Sequence, residues 1–188
     1  MTTFLLSPAD CRGKRAGLLL REEAAFPLAV ELRAGRATLG AVFSFVSGLY
    51  FRGKLTYATR FGGVVRVIVP GRGLIDPALR IATAHVEAFA EVPVDLEVPG
   101  YLGPLERDLV RLAEEVEGPV VLLRSVATAK YVSPLSAALG DRLRFPTSFL
   151  GKGDMSRGAM LLDAVKAGEE LVYGPVVMPA VRRRRARK

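Results

Sequence analysis

A continuous apolar segment, Val120 to Leu123, lies between two stretches with helical periodicity. Fully apolar strands flanked by helices are typical of a parallel sheet that is covered on both faces. The order of strand, loop and helix recurs along the chain, beginning with the apolar residues 3–6. The sequence therefore predicts an α/β fold, with a single three-layer domain over residues 1–180, a mainly parallel (mixed) sheet and helices on both faces.

Hydrophobic periodicity and the positions of glycine and proline predict the individual elements. The predicted strands are 3–6, 42–46, 64–69, 120–123, 142–145 and 171–177. The predicted helices are 26–34, 51–61, 85–90, 104–116, 125–139 and 155–166. We expect Pro104 to lie in the first turn of its helix and Pro134 to bend or split its own.

Most of the net charge of +8 comes from the end of the chain. The last seven residues carry six positive charges, on Arg182, Arg183, Arg184, Arg185, Arg187 and Lys188. Without them, 21 basic residues face 19 acidic residues. We therefore expect a nearly neutral folded body followed by a basic, disordered tail over residues 181–188.

Composition argues against several classes of protein. The longest uncharged run lies between Arg36 and Arg52, shorter than the ~20 apolar residues of a membrane span, and the amino terminus lacks a signal-peptide pattern. The single cysteine, Cys11, cannot form an internal disulfide, which fits a reducing cytoplasm. His85 is the only histidine, so neither a zinc site nor a Ser-His-Asp triad is supported. We expect a cytoplasmic protein with no membrane contact, no metal and no cofactor.

Cys11 itself has two open interpretations. It lies beside Arg12, Lys14 and Arg15, and cationic neighbours lower the pKa of a thiol and make it reactive. A buried and inert thiol is the alternative, because free cysteines are among the most buried residues.

Basic residues follow each of the first five predicted strands. Ligands of open α/β sheets bind beyond the carboxyl ends of the strands, where a ring of cations favours phosphate or carboxylate groups. Residues after these strands include Asp10, Arg12 and Arg124. The candidate anion- or nucleic-acid-binding residues are Lys14, Arg15, Tyr50, Arg52, Lys54, Arg72, Ser125, Lys130, Lys152, Ser156 and Arg157. The alternative is that these side chains are simply solvated loop residues.

The stretch Gly151 to Gly158 places two glycines around Lys152 before a predicted helix. Free backbone N–H groups at a helix start, together with Lys152 and Arg157, can hold an anion, although the spacing is not that of a P-loop. In the alternative interpretation, Asp154 is only the N-cap of the helix.

The order of five motifs resembles that of the YaaA peroxide-stress proteins. They are Ser7-Pro8-Ala9, the tyrosine-bearing residues 49–58, Gly73 to Pro77, Ser125 to Tyr131, and Gly153 to Arg157. The resemblance spans residues 4–160 and implies a nucleic-acid-binding protein that protects DNA under oxidative stress. The Lys14 loop and the Tyr50 segment are also similar to the core of archaeosine synthase, which implies chemistry on a modified base in tRNA.

Three hypotheses follow. The first is a YaaA-like cytoplasmic protein that binds nucleic acid or a phosphate-bearing small molecule at the basic loop edge. The second is an enzyme acting on a nucleobase or nucleoside phosphate, with Asp10, Asp76 or Asp154 as general acid or base. The third is a non-catalytic interaction domain with a basic tail.

Deleting residues 182–188 tests the role of the tail. Each phosphate that a basic residue neutralises releases counterions, so the slope of log K against log salt for oligonucleotide binding should fall by several units. The melting temperature should stay nearly unchanged, because a disordered tail buries little surface. An unchanged slope would remove the tail from binding.

Overall fold

The computed structural model describes residues 1–124 and 129–176. Its strands are β1 (Thr3–Leu6), β2 (Ala37–Thr38), β3 (Val64–Val69), β4 (Gly73–Ile75), β5 (Arg80–Ile81), β6 (Val120–Leu123), β7 (Leu143–Pro146) and β8 (Tyr173–Pro175). Its helices are α1 (Lys14–Leu19), α2 (Pro27–Arg33), α3 (Leu39–Ser47), α4 (Leu49–Phe61), α5 (Thr83–Glu91), α6 (Pro99–Glu115), α7 (Ala129–Leu139) and α8 (Asp154–Ala167). None of the helices in these ranges has the length and apolar character needed to cross a bilayer.

Six of the described strands form one sheet in the order β4-β3-β1-β6-β7-β8. The four central strands are parallel, and β4 and β8 pair antiparallel at the two edges. In the centre, Phe4 of β1 lies opposite Val65 of β3 and Val121 of β6. The prediction of a mainly parallel, mixed sheet is confirmed.

Side chains alternate between two cores, one on each face of the sheet. Phe4 and Leu6 belong to the core shared with α1 to α5 and α8, whereas Leu5 belongs to the core shared with α6 and α7. This alternation follows from the period of two residues in a strand. The strand is apolar throughout because both faces are covered, which confirms the three layers.

The prediction of a strand over Val42 to Val46 is wrong, because these residues lie in α3. The helix begins where the Thr38 hydroxyl accepts a hydrogen bond from the Ala41 N–H at 3.2 Å. Val42, Phe43 and Val46 are buried in the core. The β-branched and aromatic composition therefore reflects burial of the helix, and packing overrides the local β propensity.

Both helical prolines lie inside their helices. The helix that was expected to begin at Pro104 begins at Pro99, which corrects that prediction. Of the two outcomes expected at Pro134, a bend or a split, the split does not occur over the described residues of α7. Proline cannot donate to the carbonyl four residues earlier, and here that carbonyl, of Lys130, accepts a hydrogen bond from the Tyr101 hydroxyl at 3.0 Å.

Helices α4 and α8 pack backbone against backbone through two glycines. A Cβ atom built on Gly53 would lie 2.8 Å from the Gly158 carbonyl oxygen, and one on Gly158 would lie 3.0 Å from the Tyr50 Cα. Both distances are too short for an unstrained side chain. The contact brings α8 against the face of α4 that carries Tyr50.

Gly53→Ala should lower the free energy of unfolding by about 1–3 kcal/mol, because the added methyl group forces the helices apart. The matched control is Gly103→Ala in α6, where an added Cβ meets nothing within 4 Å. That control should raise stability by about 0.5–1 kcal/mol, since alanine is the better helix former. Urea unfolding of both variants measures the difference. Equal, stabilising effects would contradict the close contact.

Candidate functional site

The strand order changes direction between β1 and β6. From β1 the chain crosses to β3 on one side, and from β3 it crosses back to β6 on the other side of β1. Open α/β sheets bind ligands at this point, beyond the carboxyl ends of the two strands. A cavity of about 310 Å³ lies there, and we call it the β1–β6 crevice.

The lining of the crevice has a polar part and an apolar part. The charged and hydroxyl-bearing side chains are Asp10, Arg12, Asp95, Arg124, Lys130 and Tyr131. The other lining residues are Pro8, Ala9, Cys11, Pro70, Phe89, Ala90, Val92, Pro93 and Val94. A small cavity of this mixed character is typical of small-molecule sites, in which a few polar groups orient a ligand on apolar walls.

Arg124 is the first residue after β6 and lies on the crevice. Its guanidinium carbon is 4.3 Å from the centre of the Tyr131 ring. Its Nε is buried and has no hydrogen-bond partner among the residues the structure describes. Stacking on a buried ring holds the cation in place, while a buried donor without an acceptor is costly in free energy.

Lys54 is buried next to the end of β1. Its side chain is 2% exposed, and its Nζ donates to the Ser7 carbonyl oxygen at 2.9 Å and contacts the Ser7 Oγ at 2.8 Å. The rings of Tyr50 and Phe51 lie with their centres 4.6 and 4.9 Å from the Nζ. Burial, and then the positive charge of Arg124, lower the pKa of Lys54 well below its ordinary value, against the opposing charge of Asp154.

Tyr50 lies in α4, the helix that also carries Lys54, and connects it to β6. Its hydroxyl donates to the Leu123 carbonyl oxygen at 3.3 Å. Burial raises the pKa of Tyr50 to about 12, so this hydroxyl remains a donor at neutral pH. Lys54 was predicted inside a helix over residues 51–61, and Tyr50 just before it; the helix α4 begins at Leu49, so both residues reach this edge from inside it.

The prediction that Asp154 is an N-cap is wrong. Gly153 occupies the cap position without a side-chain bond, and Asp154 is the first residue of α8. Its carboxylate accepts from Arg157 Nη1 at 2.9 Å. Arg157 is 9% exposed and also donates from Nε to the Phe149 carbonyl oxygen at 3.4 Å, so part of its donor capacity is used inside the protein.

Several candidate residues lie apart from the crevice lining. Arg52, Lys152 and Ser156 are exposed on α4, on the loop before α8 and on α8. Lys14 and Arg15 begin α1, and Arg15 donates to the Phe45 carbonyl oxygen at 3.3 Å. Ser125 and the tail residues 182–188 lie outside the described residues.

Arg72 and Asp76 do not converge on the crevice as expected. Strand β4 runs antiparallel to β3, so the chain returns toward the amino end of β3 after the Arg72 turn. Arg72 lines a separate groove beside α6, and Asp76 pairs with Arg66 at 3.5 Å. Among the predicted general acids and bases, Asp10 lines the crevice.

Of the two interpretations of Cys11, the structure supports the buried and inert thiol. It is buried, and burial together with the charge of Asp10 raises its pKa to about 12. A thiol that stays protonated at neutral pH is a poor nucleophile.

His85 has a local structural role. Its Nδ1 accepts a hydrogen bond from the Ala82 N–H at 3.0 Å, at the start of α5. Within residues 1–124 and 129–176, no three His, Cys, Asp or Glu side chains group as metal ligands.

Two parts of the site were not among the candidate site residues predicted from the sequence. One is Ser7, which was named in a resembling motif but not as a site residue, although it lies directly after the first apolar strand. The other is the apolar wall from Phe89 to Val94, which combines the end of α5 with the segment after it and carries no motif. Comparisons with protein-family models, curated proteins and solved structures find no match for this chain.

The pH dependence of stability tests the state of Lys54. Its pKa is lowered in the folded protein but is about 10.4 in the unfolded chain, so unfolding takes up a proton between these two values. The stability of the wild type relative to Lys54→Met should therefore rise with pH in this window, by up to about 1.4 kcal/mol per pH unit. Urea unfolding from neutral pH up to about 10 measures it. Lys152→Met controls for the loss of one lysine, and parallel pH profiles for the wild type and Lys54→Met would contradict the lowered pKa.

Proposed function

We propose that this protein binds nucleic acid or a nucleotide through a phosphate group in the β1–β6 crevice. The observation that carries the proposal is Arg124, a cation stacked on Tyr131 with a buried Nε that lacks a partner among the described residues. A phosphate oxygen supplies the acceptor that this donor needs. Arginine also suits phosphate because its planar donors can make two parallel hydrogen bonds.

Neighbouring charges favour the same ligand. Lys130 and Arg12 line the crevice with Arg124. Arg157 lies close enough to influence the pKa of Tyr50, although its direct bonds go to Asp154 and Phe149. Clustered cations around a cavity concentrate the field and raise the local concentration of anions.

The positions of three of the five resembling motifs support the YaaA-like interpretation. Pro8 and Ala9 line the crevice, Lys54 bonds to Ser7 behind it, and Tyr131 supports Arg124. Segments far apart in sequence therefore meet around one site. A cytoplasmic role in DNA protection under oxidative stress is the biological setting that the resemblance implies, and it belongs to this proposal.

An enzyme acting on a nucleobase or nucleoside phosphate is the second candidate. It is favoured by the contact of 2.8 Å between Lys54 Nζ and Ser7 Oγ. An amine with a lowered pKa beside a hydroxyl is the pairing that a general base and its nucleophile use. Ser7 is fully buried and Lys54 is 2% exposed, so neither atom is open to a substrate in this structure and binding is the better-supported function.

Arg124→Ala should weaken binding of a short single-stranded oligonucleotide by about tenfold or more, the effect of losing a charge-assisted hydrogen bond. Arg52→Ala is the matched control, because it removes the same charge from an exposed position on α4. Titration calorimetry at fixed salt measures both affinities.

Equal losses in the two variants would contradict a phosphate site at Arg124 and indicate only a general charge effect. The oligonucleotide recovered after titration should be unchanged by mass spectrometry. A converted product would favour the enzyme instead.

A further inference from the structure

We propose that the crevice binds one nucleoside monophosphate unit, with its phosphate at Arg124 and Lys130 and its base against the wall formed by Phe89, Val92 and Val94. The proposal rests on the proposed function and names the ligand that the site would take. It distinguishes a built nucleotide pocket from a basic surface that only follows a phosphate backbone.

The size of the crevice limits the ligand to one unit. Its volume of about 310 Å³ lies at the lower end of the range of roughly 300–1,000 Å³ found for small-molecule sites. A single base, sugar and phosphate suit a cavity of this size. A polymer could place only a terminal or unstacked nucleotide in it.

The lining offers two cations, Arg124 and Lys130, to one phosphate. Arg12, Arg124 and Lys130 face two carboxylates, Asp10 and Asp95. The Arg12 Nε lies 3.9 Å from the Asp10 carboxylate, which leaves Arg124 and Lys130 as the cations without a carboxylate partner within 4 Å among the described residues. A phosphate monoester carries about −1.5 to −2 charge at neutral pH, whereas a triphosphate brings more negative charge beside the carboxylates.

The apolar wall is the reason to expect a base in the ligand. Phe89 is 6% exposed and fixed by an edge-to-face contact with Phe43, while Val92 and Val94 are half-buried. Inorganic phosphate would leave this wall exposed to water, but a flat base would cover it. The carboxylates of Asp10 and Asp95 can accept hydrogen bonds from ribose hydroxyls or from the amino group of a base.

Titration calorimetry of the full chain compares the four ribonucleoside monophosphates with their nucleosides, inorganic phosphate and ATP. The best monophosphate should bind at least about tenfold more tightly than inorganic phosphate and than its own nucleoside, because it uses both parts of the lining. ATP should bind no more tightly than AMP.

Two variants separate the parts of the pocket. Val94→Ala should weaken monophosphate binding severalfold and leave the affinity for inorganic phosphate unchanged, whereas Lys130→Ala should weaken both. Val110→Ala, at an exposed position on α6, is the control and should change neither. A Val94→Ala protein with wild-type affinity for every monophosphate would overturn the proposed base position.

The outcomes distinguish this proposal from the broader one. If an oligonucleotide binds in an Arg124-dependent way but no monophosphate exceeds inorganic phosphate, the nucleotide pocket is wrong and the phosphate site stands. If neither phosphate, monophosphate nor oligonucleotide binds, both proposals are wrong.

Discussion

The buried amine of Lys54 connects the helix layer to the end of the central strand, and the geometry of the crevice depends on it. Its two contacts with Ser7 fix the first residue after β1, from which Pro8 and Ala9 enter the lining. Burying an amine is expensive unless hydrogen bonds and a favourable field replace water. Two oxygen partners, two aromatic faces and a lowered pKa together reduce that cost.

The contact between α4 and α8 gives this arrangement its rigidity. Gly53 and Gly158 let the two backbones touch, so neither helix can shift without opening a gap or creating a clash. The Tyr50 hydroxyl then links α4 to the carbonyl oxygen of Leu123, the residue before Arg124. Strands β1 and β6 are thus each bonded to the same helix at their carboxyl ends, which sets the distance between the two sides of the crevice.

Much of the layer structure could be predicted from the sequence, because a strand that is apolar at every position requires cover on both sides. The position of Arg124 followed from the same pattern, since it is the first charged residue after β6. Burial misled the interpretation of Val42 to Val46, where a helix surrounded by core has the same composition as a strand. A glycine such as Gly53 lowers the helix propensity of its sequence, and its close contact with another helix is known only from the packed structure.

Two errors in placing the site residues have separate causes. Arg72 and Asp76 followed a correctly predicted strand, but the short antiparallel β4 turns the chain back along β3 and carries Asp76 to the opposite edge. Lys54 was assigned to the correct edge for the wrong reason, because the predicted strand 42–46 that it was counted after is a helix. Convergence depends on the direction of each strand, and a three-residue edge strand has too little periodicity to reveal its direction.

The burial of Cys11 also limits how this protein could respond to oxidation. Any oxidative-stress role of this protein has to operate through something other than direct oxidation of this thiol, because the thiol is both buried and protonated. The same properties make the rate of its labelling a measure of motion at the crevice. A thiol reagent should modify this mostly buried sulfur faster when the segment after β1 opens, and the chain has no second cysteine that would react. A change in the labelling rate of the unaltered protein, for example on adding a ligand, therefore reports a change in how readily this edge of the sheet opens.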